Sequence, residues 1–148
     1  MRSKQSGFTL IELISVIVIL GILSAFALPR FANLEVQARA ASVEGLGGAI
    51  RSANALAHAV WLAEGATGGT GIPILMDNNT VNLDNGWPTA NSIVQALQTL
   101  PASTGYTDDG ATPTRAFSIP GVTTPGNCQV TFQEGNPPTI QVTTNDCS

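Results

Sequence analysis

Positive charge is scarce in this 148-residue sequence, and its scarcity excludes one class of function. Lys and Arg together number six against ten Asp and Glu, which gives a formal net charge of −4. Two of the six precede residue 5, and the others are scattered singly, at Arg30, Arg39, Arg51 and Arg115. A nucleic-acid surface needs several clustered cations to neutralise phosphates. We therefore expect no nucleic-acid partner.

Histidine and cysteine are also rare. The single histidine, His58, has no Cys or His companion at ligand spacing, so the sequence does not predict a zinc-type site. The two cysteines, Cys128 and Cys147, suit one disulfide bond if this part of the chain is exported to an oxidising compartment. Two unpaired thiols are the alternative.

The sequence also lacks the residue patterns of an enzyme site. We find no nucleophile beside a general base and no glycine loop of the phosphate-binding type. The adjacent carboxylates Asp108 and Asp109 stand before a glycine, which is typical of a turn; a weak calcium site is the alternative. We therefore expect no enzymatic activity, no cofactor and no metal.

What the sequence does contain is one long apolar run near its start. Residues 8–28 read FTLIELISVIVILGILSAFAL, in which Glu12 is the only charged residue. As a helix this run is about 31 Å long, which matches a bilayer core of about 30 Å. Arg2 and Lys4 precede it and favour a cytoplasmic N-terminus. From the residues alone, a retained anchor, a cleaved secretory signal and a buried core helix all stay open.

The string GFTLIEL resembles the N-terminal signature of type IV prepilins and of the related pseudopilins of type II secretion. It combines a short basic leader, here residues 1–7, with a Gly before a Phe and a Glu four residues after that Phe. The resemblance implies that a prepilin peptidase cuts between Gly7 and Phe8 and methylates the new amino terminus at Phe8. The apolar helix would then remain in the mature protein.

The resemblance also implies four residues that act in assembly. In the family the Glu at the position of Glu12 pairs with the amino terminus of a neighbouring subunit, here Phe8. A similarly placed Gly and Pro, here Gly21 and Pro29, bracket a stretch that bends in the filament. A carboxylate in apolar surroundings does need a partner. The alternative is that Glu12 only stabilises the helix N-terminus through the macrodipole.

Beyond the apolar run, residues 29–64 predict an amphipathic helix that continues the first one through a kink at Pro29 and ends at Gly65. Apolar or small residues recur at three- and four-residue spacing and mark one face. They are Phe31, Leu34, Ala38, Ala41, Gly45, Ala49, Ala53, Leu56 and Val60. We expect the small residues of GLGGAI, at 45–50, to pack on a β-sheet of the same subunit.

Residues 65–148 predict a globular antiparallel β domain. IPILM and TVNL around DNN form one expected hairpin, and CQVTFQ and TIQVTT around EGNPP form another. Its core-facing residues would be Val130, Phe132, Ile140 and Val142. ATGGTG reads as a loop, DNGWP as a turn and residues 92–100 as a short helix. The fold class is thus α+β: a long N-terminal helix, its apolar half protruding and its second half packed against a C-terminal antiparallel sheet.

The expected function follows from the resemblance. A C-terminal disulfide loop, here between Cys128 and Cys147, recurs in type IV pilins, and NGWPTA with IVQALQ resembles pilins of the mannose-sensitive haemagglutinin type. We expect a type IVa major pilin that polymerises with identical copies for adhesion, surface attachment or motility. Its other partners would be the prepilin peptidase and the inner-membrane assembly machinery, and it would move from the inner membrane to an extracellular pilus. A major pseudopilin of type II secretion, and an anchored domain that never polymerises, are the alternatives.

Overall fold

The computed structural model describes residues 7–65, 68–99 and 101–148, so residues 1–6 of the expected leader lie outside the described residues. The described residues divide into two compact units, one that ends at residue 35 and one from residue 36 to residue 148. Helix α1, Leu10–Ala63, contributes to both units. The backbone stays helical at position 29, and the expected end of the helix at Gly65 is confirmed by a left-handed φ of 66° there. The kink at Pro29 stays a prediction.

Within the described residues, α1 is followed by seven strands in two antiparallel sheets. The first sheet has the order β1 (Thr70–Met76), β2 (Asn79–Asp84) and β3 (Trp87–Pro88). The second has the order β4 (Thr107–Asp108), β5 (Thr114–Ser118), β6 (Cys128–Gln133) and β7 (Thr139–Thr144). The α+β class is confirmed, but the expected single sheet is two sheets.

In the first unit, none of the described residues buries the apolar side chains of the helix. The stretch Leu10–Ala27 has a mean hydropathy of 2.6 and none of it is buried, so it is long and apolar enough to cross a membrane. Phe8, just before the helix, is 92% exposed. A soluble globular unit does not leave so much contiguous apolar surface in water. This segment therefore needs lipid or another protein surface around it.

In the second unit, α1 supplies one side of the hydrophobic core. Its buried residues follow the helical period: Val43, Leu46, Ile50, Ala53 and Ala57. The strands supply the other side, with Ile74, Val81, Leu83, Phe117, Val130 and Phe132.

The helix face predicted from the sequence is wrong for this core. Of its nine residues, only Ala53 is buried and Val60 half-buried, while the other seven are exposed. The branched residues Val43, Leu46 and Ile50, on the neighbouring stripe, fill the space between helix and sheet instead. Periodicity identifies an apolar stripe but does not say which surface covers it.

The first hairpin is confirmed and is tighter than expected. β1 and β2 pair in antiparallel fashion around Asp77 and Asn78, whose φ angles of 45° and 66° are both positive, as a two-residue type I′ turn requires. Two details were wrong. Thr70 and Gly71 belong to β1 rather than to a loop, and after the turn at Asn85 and Gly86 the pair Trp87–Pro88 forms β3.

The short helix expected at residues 92–100 is wrong, although Leu100 lies outside the described residues. The segment forms successive turns in which the N–H of Gln95 donates to Ser92 O and that of Ala96 to Ile93 O. Isolated helices this short have little intrinsic stability. Buried residues also occupy 92–94 as well as 96 and 97, which is wider than one helix face. Successive turns bury all five of these side chains, which a single helix face would not do.

The lone histidine joins the end of α1 to the first sheet. The His58 ring stacks parallel on Trp87 with 3.9 Å between centroids, and its Nδ1 lies 2.8 Å from the carbonyl oxygen of Gly86. The Trp61 ring also stacks on His58, with 5.6 Å between centroids. A Cβ at Gly86 would come within 2.9 Å of the Trp61 ring, so glycine is required by packing as well as by its φ of 86°.

The second hairpin has the predicted strands and orientation. β6 and β7 pair from Cys128↔Thr144 to Gln133↔Thr139. Val130 and Phe132 are fully buried, and Ile140 and Val142 pack half-buried against the core, as expected. A Cβ at Gly47 would clash with Val142 Cγ2, whereas Gly45 and Gly48 have open space. The expected contact of GLGGAI with a sheet therefore holds at Gly47.

This difference predicts opposite effects for two adjacent glycines. Gly48→Ala should raise the free energy of unfolding by about 0.5–1 kcal/mol, because alanine is the better helix former. Gly47→Ala should be less stable than Gly48→Ala by about 1–3 kcal/mol, because the new methyl overpacks against Val142. Urea unfolding of the full chain in detergent micelles, followed by tryptophan fluorescence, measures both. Equal stability of the two variants would contradict the close approach at Gly47.

Candidate functional site

The start of α1 is built around Thr9 and Glu12. The N–H and the Oγ1 hydroxyl of Thr9 donate to Glu12 Oε2 at 2.8 and 2.7 Å, and the N–H of Glu12 donates to Thr9 Oγ1 at 3.4 Å. This reciprocal pattern is a capping box, with Thr9 as N-cap and Glu12 at the third helical position. Sequence analysis missed Thr9, although the pattern T-x-x-E before an apolar run was its signal. In the single subunit, Glu12 therefore serves the helix terminus.

The predicted cleavage bond lies just before this cap. Gly7 and Phe8 are exposed and precede the first helical residue, Leu10, so the bond between them is in non-helical backbone. A peptidase needs accessible, non-helical backbone, and these two residues supply it. Gly21 lies within the helix, and a Cβ there would meet no atom within 4 Å. None of the described residues thus requires a glycine at position 21.

Polar side chains inside the apolar helix are satisfied locally. Ser15 Oγ donates to Glu12 O at 2.9 Å, and Ser24 Oγ donates to Leu20 O at 2.7 Å. Hydroxyls that bond back to their own helix do not need water. The helix can therefore enter an apolar environment with its serines already paired.

The two cysteines meet as predicted. Cys128 and Cys147 form a disulfide with 5.0 Å between their Cα atoms, and both are buried. In the chain-entropy model a closed loop of about 20 residues stabilises the fold by about 3 kcal/mol. The bond joins the first residue of β6 to the last turn of the described chain, which is held further by Thr123 N–H donating to Ser148 O at 2.8 Å.

An arginine of α1 also holds this C-terminal loop. Arg39 Nη1 donates to the carbonyl oxygens of Gly121 and Cys147 at 3.3 and 3.2 Å. Hydrogen bonds from a charged donor are stronger than neutral ones. The disulfide loop is thus fixed against the helix as well as closed on itself. Sequence analysis paired Arg39 with Glu35 at i,i+4 spacing on the helix and did not predict these two contacts, since Gly121 and Cys147 are more than 80 residues away in the chain.

The calcium candidates Asp108 and Asp109 have structural partners. Asp108 binds Arg115 in a bidentate pair, at 2.7 Å from Nε and 2.6 Å from Nη2. Asp109 Oδ1 accepts the backbone N–H of Ala111, two residues later, which is typical of an Asx turn. It also accepts the backbone N–H of Ala116 in β5. Among the residues that the structure describes, no group of three or more His, Cys, Asp or Glu could hold a metal ion. A calcium ion at Asp108 would have to displace the guanidinium.

The pair of Asp108 and Arg115 ties two parts of the second unit together. Arg115 Nη1 also donates to Ala90 O at 2.9 Å, and the N–H of Ala90 donates to Glu134 Oε1 at 2.6 Å. The turn segment after β3 is thereby joined to β5 and to the loop between β6 and β7. Burial raises the pKa of Asp108, but hydrogen bonds from Arg115 and Gly110 and the charge of Arg115 outweigh this, so the pKa lies below its ordinary value.

This lowered pKa predicts the pH dependence of the link. A carboxylate whose folded pKa is depressed stabilises the fold above its unfolded pKa, and that contribution is lost as pH falls through the folded pKa. Asp108→Asn should therefore lower the free energy of unfolding at pH 7 by about 1–3 kcal/mol, because charged hydrogen bonds are lost. The gap between wild type and variant should begin to narrow as the pH falls below about 4, the pKa of an unfolded Asp, and should close once the pH is below the folded pKa. Asp77→Asn, in an exposed turn, is the control, and a gap unchanged with pH would contradict the role of Asp108.

Comparison with known proteins agrees with the N-terminal motif. Residues 2–28 match the family model described as the prokaryotic N-terminal methylation motif. The type IV narrow pilus major component of Thermus thermophilus is 58% identical over 57 residues, 38% of this chain and 47% of that protein. The type IV major fimbrial protein of Dichelobacter nodosus is 43% identical over 53 residues, 36% of this chain and 34% of that protein.

One similar protein matches over most of the chain. The type IV major alpha-pilin of Moraxella bovis is 35% identical over 113 residues, which is 74% of this chain and 65% of that protein. The chain thus spans less than two thirds of each of these three relatives. No solved structure matched the chain. Through its methylation motif and these relatives, the chain is similar to the major subunits of type IV pili.

Proposed function

We propose that the chain is the structural subunit of a type IV pilus. It is cut between Gly7 and Phe8, methylated at Phe8, held in the inner membrane by its apolar helix, and polymerised with identical copies into an extracellular filament. The observation that carries the proposal is the apolar stretch Leu10–Ala27, none of it buried, within the residues 2–28 that match the methylation motif. Adhesion, surface attachment or motility would be the filament's role.

The energetics favour a membrane stage. Fourteen residues of 8–28 are Leu, Ile, Val or Phe, and together they contribute on the order of −6 kcal/mol to insertion. Glu12 lies one turn into the helix, so its cost should fall below the roughly 2.5–3.5 kcal/mol of a central charge. The sum of these free energies therefore favours insertion of the helix into the bilayer. A subunit that later leaves the membrane must replace the lipid around this helix, and identical copies offer the same apolar surface.

The C-terminal half supports a filament exposed to the outside. Its disulfide is stable in oxidising compartments and unusual in the cytosol. The relatives named above are pilus or fimbrial components, and no observation favours the secretion pseudopilin over them. The prepilin peptidase and the inner-membrane assembly machinery are the further partners that the proposal requires. The narrower likeness to the mannose-sensitive haemagglutinin type stays a prediction.

The proposal predicts surface filaments with a trimmed subunit. Filaments sheared from cells that produce this chain should be visible by electron microscopy, and mass spectrometry should find a mature N-terminus at methylated Phe8. Gly7→Leu should block cleavage and leave the full-length chain in the inner membrane, because it changes the Gly of the proposed cleavage bond to a bulky residue. A soluble monomer that lacks residues 8–28 would contradict the proposal.

A second prediction separates the two roles of Glu12. Glu12→Gln keeps an N3 side chain that can complete the capping box with Thr9, but it cannot form an ion pair with an amine. If the amino terminus of a neighbour recognises the charge, this variant should insert normally and yield at least about tenfold less filament, the equivalent of a charge-assisted bond.

The matched variant is Thr9→Ala, which removes the cap and keeps the carboxylate. It should lower filament yield far less than Glu12→Gln does. Normal filaments from Glu12→Gln would show that the cap alone explains the residue. Filament yield should be normalised to the inserted subunit, which is measured by immunoblot of the membrane fraction.

A further inference from the structure

The second unit carries an apolar groove along α1 that its own sheets do not fill. Two adjoining cavities of about 240 and 380 Å³ form it, and they share the lining residues Leu56, Ala96, Leu97 and Gln98. We call it the Leu56 groove. One wall is α1 from Leu46 to Val60, and the other is formed by the hairpin of β1 and β2 together with residues 95–99.

Large apolar side chains stand exposed across this groove. Leu56 on the helix is 56% exposed, and Leu75 on β1 is 71% exposed. Single exposed leucines are ordinary, but two that line one groove mark an interaction surface. Among the described residues that line the cavities, Asp77 is the only charged one. The surface therefore fits an uncharged partner.

The helix wall belongs to the stripe that the sequence predicts to be buried. Ala49, Ala53, Leu56 and Val60 continue the spacing of that stripe, and the fold covers only Ala53 fully. Small residues such as Ala49 and Ser52 let another helix approach the backbone closely. The stripe therefore has the pattern of a packed helix face, but the cover must come from outside the unit.

We propose that the Leu56 groove receives the apolar helix Leu10–Ala27 of a second copy. The inference rests on the proposed filament, because the apolar helix loses its lipid cover only there. That helix has no buried residue in its own unit and Glu12 as its only charge. Its 18 residues span about 27 Å, and the helix wall from Leu46 to Val60 spans about 21 Å, so one apolar helix covers the groove.

The first test compares two leucines of the same helix. Leu56→Asp should lower filament yield at least about tenfold, because it places a charge against an apolar partner. Leu62→Asp is the matched control, since Leu62 is 59% exposed and lines neither cavity; its yield should stay within about twofold of wild type. Leu75→Asp, on the opposite wall, should behave like Leu56→Asp.

Membrane insertion and disulfide formation of each variant, measured on the cell envelope, separate loss of assembly from loss of folding. If Leu56→Asp fails to fold, the filament yield of Leu75→Asp tests the proposal instead. If wild-type cells make no filaments, the proposed function fails and this inference with it. If wild type, Leu56→Asp and Leu75→Asp all assemble equally, only the groove is overturned.

Cross-linking identifies the occupant. Leu75→Cys is combined with one cysteine at Ile14, Val18 or Ile22, and the intact filaments are oxidised. The expected result is a dimer that joins Leu75→Cys to one helix position in filaments and is absent from dispersed subunits in detergent. Dimers that join only Leu75→Cys to Leu75→Cys, or only helix to helix, would overturn the proposal in favour of a contact between β domains or a bundle of apolar helices alone.

Discussion

Burial of the apolar helix is the constraint on which the rest of the chain depends. Leu10–Ala27 has no cover in its own unit, and its serines already bond to helix carbonyls. Such a segment is stable in lipid or against other apolar surfaces, and in neither case does it need further polar partners. The one exception is Glu12, whose position within the first helical turn keeps it close to the polar end of the span. The helix thus combines an apolar body with a single polar group at one end.

The scarcity of positive charge has a structural counterpart in the second unit. Each of its three arginines donates to backbone carbonyls far away in the chain: Arg39 to Gly121 and Cys147, Arg51 to Ile140, and Arg115 to Ala90. Two of them join α1 to the C-terminal hairpin region, and the third joins the two parts of the β domain. At these junctions, hydrogen bonds from charged donors hold together segments that are short strands or loops. These arginines therefore form hydrogen bonds within the subunit and are not clustered on its surface.

Local patterns were predictable from the sequence, and choices between surfaces were not. The hairpin of β6 and β7 follows from alternation that is broken by Gly and two Pro, which is local information. β3 was missed because Trp87 and Pro88 pair with β2 for only two residues, and a Pro argues against a strand. The buried face of α1 was missed because two neighbouring stripes share one period. The buried stripe is the one that fits the sheet, where Val142 and Val130 lie against Gly47 and leave no space for a side chain.

The site at the helix start was partly predictable for a related reason. Glu12 stands out in an apolar run, but Thr9 does not, because threonine is common at many positions. Their reciprocal bonds give the carboxylate a local role that does not depend on assembly. The two interpretations of Glu12 that the sequence left open therefore do not exclude each other.

Under the proposed processing, the same bond cleavage changes what this carboxylate can do. Cutting after Gly7 removes Arg2 and Lys4 and converts the amide nitrogen of Phe8 into an amine. Both bonds from Thr9 end on Glu12 Oε2, and an ionised carboxylate has about four acceptor sites on two oxygens. An amine can therefore bind while the cap persists. Charge-assisted bonds are about twice as strong as neutral ones, so the amine would add a strong bond to Glu12 that the uncut chain cannot form. Processing would then convert a helix cap into a contact between subunits.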